Sequence, residues 1–195
     1  MHGITRGCLL AASLFLAGQA VAAEEMPQRE EAAQQAVNQL MKELGGALKS
    51  AMKEGGPEAA IRVCTEKAPQ INTRVSREEG WRVTRVSHRY RNPLLGMPDA
   101  WEQEVLQRFR EQAADGQSLK GMSYSEVVSE PQGRFFRYMQ AIPMQDMCAS
   151  CHGAPDQLAP EVKSVLQERY PHDRATGFQP GELRGAFSVK QPLPE

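Results

Sequence analysis

The sequence predicts a single α+β domain in which helices flank a small, mostly antiparallel sheet. Two kinds of hydrophobic spacing support this fold class. Apolar residues recur every three or four positions in some segments, as in amphipathic helices. In others they alternate with polar residues or form short β-branched and aromatic runs, as in strands. The helical segments are 27–54, 57–67, 99–114 and 158–169, and the strand segments are 81–87, 124–129, 134–142 and 184–190.

The first predicted helix is the longest. Its apolar stripe consists of Val37, Leu40, Met41, Leu44, Leu48 and Met52. Gly55-Gly56 is expected to end this helix, and Pro57 suits the first turn of the next one. That second helix is expected to close at Pro69 and to carry Cys64 on its apolar face. Cys64 is therefore predicted to point into the interior of the protein.

The later elements follow from the same reasoning. Apolar and polar residues alternate in the first strand, and a loop rich in proline and glycine follows at 92–98. The helix at 99–114 has an apolar stripe and ends at Asp115-Gly116. The stripe residues are Trp101, Val105, Leu106 and Phe109. Two strands, a helix and a last strand complete the domain, and the segment between 142 and 158 is expected to be a loop or short helix.

The N-terminus has the three-part pattern of a secretory signal peptide. Arg6 precedes an apolar run at 8–17, and small residues follow at 20–23. The run is too short to cross a bilayer unaided, so we expect residues 1–23 to be removed and no membrane span to remain. The mature domain is then 24–195. This pattern predicts an exported, periplasmic protein.

The charge balance excludes one class of partner. The chain has 23 Lys and Arg residues against 24 Asp and Glu residues, a formal net charge of −1. Removal of the signal peptide would delete Arg6 and no acidic residue, which leaves the balance close to neutral. A near-neutral chain offers no basis for binding nucleic acid or an anionic membrane surface.

The most specific motif is Cys148-Ala149-Ser150-Cys151-His152, a C-x-x-C-H run. This order and spacing are typical of covalent attachment of one c-type haem. Cys148 and Cys151 can each form a thioether with a haem vinyl group, and His152 is then held as an axial ligand of the iron. A thioredoxin-like redox pair would need a βαβ context, which the sequence lacks.

The residues alone leave several candidates for the second axial ligand. Cys64 is the cysteine left over in the mature chain, and an unpaired thiol is unusual in an oxidising compartment. Histidine and methionine also serve as axial ligands of haem iron in c-type proteins. The residues of these two types that could bind the iron instead of Cys64 are His88, His172, Met97, Met122, Met139 and Met144.

Several stretches of the chain resemble a family of single-haem c-type proteins with a PAS-like fold, whose members occur as exported proteins and as sensor modules. The matching stretches are 60–69, 91–93 with 98–102, 148–153, and 175–178 leading into 181–188. The resemblance implies a PAS-like antiparallel sheet with flanking helices. It also implies a haem held between His152 and a cysteine thiolate, and the position that matches this cysteine is Cys64.

Six arginines lie within residues 74–91. Arginine pairs well with carboxylates, so some of these residues are candidates to hold the haem propionates. Arg89 and Arg91 are the first choices because a stretch that resembles the family begins there. The alternative interpretation is a strand face exposed to solvent.

Two functions fit these features. A His/Cys-ligated haem should have a low reduction potential, and reduction should weaken the thiolate bond and open a site for CO or NO. We therefore expect a redox or gas-sensing module that signals to a separate protein. The alternative is a soluble electron-transfer cytochrome. No paired carboxylates or Ser/His/Asp arrangement stands out, so the chain is not expected to be an enzyme.

Overall fold

The computed structural model describes the backbone of residues 12–194 and the side chains of residues 25–194. The predicted signal peptide and its cleavage site fall outside the described side chains. Among the residues described, no helix combines the length and apolarity that crossing a membrane requires.

The core element is a four-stranded antiparallel sheet, as predicted. Its strands are β1 (Arg82–Val86), β2 (Ser123–Glu130), β3 (Gly133–Pro143) and β4 (Leu183–Pro192). The spatial order is β1-β4-β3-β2, so the last strand lies between the first and the third. β2 and β3 form a hairpin in which Glu130 pairs with Gly133. The α+β fold class and all four predicted strands are confirmed.

The helices surround this sheet. They are α1 (Ala12–Arg62), α2 (Ala68–Glu79), α3 (Pro93–Gly96), α4 (Ala100–Ala114), α5 (Ala149–His152) and α6 (Pro160–Arg169), with a π-helical turn at Val63–Lys67 and a 3₁₀ turn at Asp146–Cys148. α1 is interrupted where the sequence predicts it, because Gly55 and Gly56 leave the helical region and Gly56 has a φ of 65°.

One predicted boundary is wrong. Pro69 does not close the second helix but lies in the first turn of α2, which continues to Gly80. A proline is tolerated there because the first N–H groups of a helix have no partner within it. The π-helical turn, which joins α1 to α2, therefore carries Cys64 between two helices rather than at a helix end.

Each face of the sheet packs against its own helical layer. On one face, residues of α1 and α2 such as Leu40 and Val75 contact Val83 and Phe136. On the other face, Phe109 of α4 packs against residues of β3 and β4. Successive side chains of a strand point to opposite faces of the sheet, so adjacent residues pack in different cores. Each fully buried side chain of this size contributes roughly 1.5–3 kcal/mol of hydrophobic free energy.

Candidate haem site

The C-x-x-C-H motif lies on a short, tightly turned segment. A 3₁₀ turn ends at Cys148, and α5 carries Cys151 and His152 before the chain turns extended at Gly153. A Cβ on Gly153 would lie 2.6 Å from the carbonyl oxygen of Ala149, which is too close for any side chain. The glycine therefore lets the chain leave the helix directly after the histidine.

A returning segment holds this turn in place. The backbone N–H of Gly177 donates to the carbonyl of Gly153 at 2.7 Å, and that of Phe178 donates to the carbonyl of His152 at 3.0 Å. The Phe178 ring packs edge-on against the His152 imidazole, with ring centroids 6.4 Å apart. The stretch around 175–178 therefore contacts the motif in the fold, although the two are distant in sequence.

His152 is oriented as a metal-ligating histidine would be. Its Nδ1 lies 2.6 Å from the carbonyl oxygen of Ala175. A carbonyl can only accept a hydrogen bond, so Nδ1 carries the proton and the lone pair of Nε2 is free for a metal. Burial lowers the pKa of His152 well below its usual value, and Arg184 and Arg91 lower it further. The imidazole is therefore neutral.

Cys64 follows Ile61 of α1 by three residues, and Ile61 packs in one apolar cluster with Cys151 of the motif. Burial raises the pKa of the Cys151 thiol, and negative charge on Cys64 and Cys148 raises it further, against the opposing effect of Arg91. Burial and the charge on Cys64 also raise the pKa of Tyr170 to about 12. The fold thus brings Cys64 to the same site as Cys148 and Cys151. Its position in a π-helical turn is notable because such turns are frequent at functional sites.

The other candidate ligands lie in different surroundings. His88 lines a cavity of about 760 Å³ together with Arg110 of α4. Burial lowers the pKa of His88, and the charge of Arg110 adds to this effect. Met139 is fully buried in the core beneath α4, whereas Met97 is 51% exposed. His172 is exposed.

Met122 and Met144 complete the candidate set. Met122 packs at the edge of the core beneath α4. Met144 is buried beside Ala175 and Phe178, near the motif. Met144 is thus the methionine that packs with the segment holding His152.

Arg89 and Arg91 both lie at the site, but their guanidinium groups already bind protein. Arg89 stacks on the Phe178 ring, 3.5 Å from its centroid, and donates to the carbonyl of Gly177 at 3.0 Å. Arg91 donates to the carbonyl of Cys151 at 2.5 Å and pairs through Nε with Asp173 at 3.1 Å. Arg91 joins the returning segment to the motif, since it also donates to the carbonyl of Ala175, and Arg89 anchors the same segment to the chain that follows β1.

Two arginines that the sequence analysis did not single out also border the site. The pKa of Arg184 falls to about 9, first because of burial and then because of the charges on Arg91 and Arg85. Burial also lowers the pKa of Arg85, against the opposing effect of negative charge on Cys64 and Tyr170. Arg85 belongs to the arginine cluster and Arg184 to a matching stretch, but neither pattern shows which arginines are buried.

The donor set fits a haem. Within the part of the chain that the structure describes, no three His, Cys, Asp or Glu side chains converge as they would around a bare metal ion. A neutral imidazole with a free Nε2, two thiols spaced for vinyl groups and a third thiol nearby match a covalently bound porphyrin with two axial ligands. The Nε of Arg85, buried without a hydrogen-bond partner among these residues, also fits a group with carboxylates.

Together the fold and the site define a class: a small α+β domain with a PAS-like antiparallel sheet that presents a C-x-x-C-H motif. The chain belongs to the Tll0287-like family, whose sequence profile matches residues 17–192.

A solved structure shares this fold. The crystal structure of the cyanobacterial heme-protein Tll0287 superposes with a TM-score of 0.60 at 24% sequence identity, over 88% of this chain and 97% of that one. No curated protein matches this chain in sequence.

Proposed function

We propose that this protein is a periplasmic c-type haem protein that carries one covalently attached haem. The observation that carries the proposal is the pairing of the C-x-x-C-H motif with a neutral His152 whose Nδ1–H is held by the Ala175 carbonyl. The family member with a known structure is described as a heme-protein, which supports the assignment. The export signal expected at 1–23 supports the location, since bacterial haem attachment takes place outside the cytoplasm.

Each residue of the site has a distinct task. Cys148 and Cys151 would fix the porphyrin through thioether bonds, and His152 would supply the proximal nitrogen. Cys64 would also hold the iron, as a thiolate. The haem itself would contribute one-electron redox chemistry and, with one axial position open, binding of a small diatomic ligand.

The π-helical turn suggests how Cys64 could act in sensing. This turn joins α1 to α2, and both helices pack on the same face of the sheet. π-helical turns are frequent at functional sites, and a change of this turn to α-helical geometry would shift Cys64 relative to the motif. Such a shift of Cys64 would displace helices that a signalling or redox partner can contact. We therefore favour a redox or gas sensor over an electron carrier and over an enzyme.

The first test is covalent haem attachment. The full chain is produced in a host that matures c-type haem, exported, denatured and examined for haem that stays with the polypeptide. We expect one haem per chain in the wild type and none resistant to denaturation in the Cys148→Ala/Cys151→Ala double variant. Cys64→Ala is the matched control, and it should keep its covalent haem. A wild-type chain without bound haem would contradict the proposal.

A second test separates the sensor from the carrier. The ferrous protein is titrated with CO and its spectrum recorded. The sensor proposal predicts that CO binds readily once iron is reduced, with Cys64 displaced. A ferrous protein that keeps both axial ligands and excludes CO would favour the electron-transfer cytochrome instead.

A further inference from the structure

Arg85 is a buried cation without an anionic partner. Its Nε is enclosed and has no hydrogen-bond partner, and no carboxylate of the described residues pairs with it. Its side chain is surrounded by protein yet keeps some accessible surface, as do those of His152 and Cys64. A buried charge that is neither paired nor hydrogen-bonded is costly, so an isolated arginine is not expected here.

Arg184 is in a similar position. One terminal nitrogen donates to the carbonyl of Arg89 at 3.3 Å, and the guanidinium lies 4.9 Å from the centroid of Phe178. Neither contact neutralises its charge. The carboxylate that acts on it, Asp173, is already paired with Arg91.

The charges at the site therefore do not balance. Arg85 and Arg91 both act on Arg184, and Asp173 is the carboxylate that acts on it. Three guanidinium groups against one carboxylate leave an excess of two positive charges. An arginine fork matches a carboxylate geometrically, and a haem brings two such groups.

We propose that Arg85 and Arg184 form the binding site for the two haem propionates, an inference that rests on the proposed haem binding. Of the arginines first expected in this role, Arg91 instead joins the segment 173–178 to the motif, and Arg89 anchors that segment to the chain that follows β1. The propionates would complete the hydrogen bonding of Arg85 and offset the excess charge. Because the thioethers already fix the haem, loss of the two arginines would not release it. The two arginines would instead control the pKa values of the propionates.

The test uses the haem-loaded protein and measures the reduction potential between pH 5 and 7.5. In the wild type, two arginines should keep the propionates ionised across this range, so they contribute no pH dependence. In Arg85→Met/Arg184→Met, the propionate pKa should rise into the range, and the potential should fall more steeply with rising pH than in the wild type. An infrared band of a protonated carboxylic acid should appear at pH 5.

Arg82→Met is the matched control. Arg82 lies on the same strand as Arg85, but its side chain pairs with Glu102 beneath α4. It should keep the wild-type pH profile. If the double variant does not fold, the single variants Arg85→Lys and Arg184→Lys are compared with Arg85→Met and Arg184→Met. The lysine variants retain a cation, so the pH dependence of their reduction potential should lie nearer to that of the wild type.

The two proposals can fail separately. A haem-loaded double variant with the wild-type pH profile and no new infrared band would overturn the propionate site alone. A wild-type chain that attaches no haem would overturn the proposed function and the propionate site with it.

Discussion

Two arginines on opposite faces of the same sheet have contrasting surroundings. Arg137 on β3 is 1% exposed, and its terminal nitrogens reach Asp99 at 2.7 Å, Glu102 at 3.3 Å and Glu130 at 3.2 Å. Its Nε alone lacks a partner among the described residues. Arg85 on β1 has no carboxylate partner in the same part of the chain. The protein itself completes the first environment, and we propose that a bound group completes the second.

The contrast shows how the fold separates stability from ligand binding. The face with Arg137 is closed by α4, whose start is fixed by the capping box between Asp99 and Glu102. Ser188 on β4 also donates to Glu102, at 2.7 Å, so helix and sheet share one polar network. On the other face, Arg85 and Arg184 lie within electrostatic range of Cys64 and Cys148, respectively. A satisfied network rigidifies a fold, and an unsatisfied one indicates a missing partner.

The largest effect is expected from Arg137→Met. This change removes the cation that three carboxylates share, after which Glu102 keeps only Arg82 and Glu130 keeps only Lys190. Breaking a buried ion pair costs up to about 3–5 kcal/mol of unfolding free energy, and the two remaining pairs reduce this cost. Chemical denaturation measures the loss. A loss below about 1 kcal/mol would show that the network contributes little and would weaken the comparison.

Gly153→Ala should have the next largest effect, on the ligand side. The added Cβ meets the Ala149 carbonyl at 2.6 Å, so the backbone beside His152 must move. We expect a loss of about 1–3 kcal/mol, as for other overpacked sites, and a reduced yield of haem-loaded protein.

Gly45→Ala in α1 is the control for Gly153→Ala, because nothing lies within 4 Å of its added Cβ. This change should stabilise the protein by up to about 1 kcal/mol. Equal melting temperatures of Gly153→Ala and Gly45→Ala would contradict the assigned role of Gly153.

Asp99→Asn tests the charge in the Arg137 network and keeps the helix cap, since asparagine caps as well as aspartate. Burial alone would raise the pKa of Asp99, but the hydrogen bonds from Arg137 and the Glu102 backbone outweigh it, and the pKa is lowered. A carboxyl with a depressed pKa stabilises the fold above its unfolded pKa of about 4 and loses this contribution at lower pH. The variant should therefore be less stable than wild type at pH 7 and equally stable near pH 2. A difference in unfolding free energy between wild type and Asp99→Asn that did not depend on pH would contradict a stabilising role of the Asp99 charge.

Arg85→Met should have the smallest effect on the haem-free chain. No ion pair is lost, and an unpaired buried charge is replaced by an apolar side chain of similar length. We expect no loss of unfolding free energy, or a gain of up to about 1 kcal/mol, in contrast to Arg137→Met. A loss as large as that of Arg137→Met would mean that Arg85 is structural, and the comparison would fail.

Local patterns were sufficient to predict much of this molecule. The strands, the break at Gly55-Gly56 and the helix ending at Asp115 follow from periodicity and from turn chemistry, which depend on neighbouring residues. The prediction at Pro69 was wrong because a proline fits a first turn as well as a helix end. The π-helical turn has no sequence pattern of its own.

The roles of the individual arginines could not be predicted, for a different reason. Arg85 and Arg89 are four residues apart in one basic segment, yet one is buried without a partner and the other stacks on Phe178. Their roles depend on contacts with residues about 90 positions away, which the sequence pattern does not reveal. The placement of Cys64 beside the motif was predicted through the family resemblance and the unpaired cysteine, rather than from periodicity.

The central claim is that His152 and Cys64 hold one haem iron between them, and the EPR spectrum of the ferric protein tests it most directly. We predict a low-spin signal with the narrow g-spread of thiolate ligation, lost in Cys64→Ala and retained in His88→Ala and Met144→Ala. A wide-spread signal of bis-histidine or His/Met type, unchanged in Cys64→Ala, would contradict the claim.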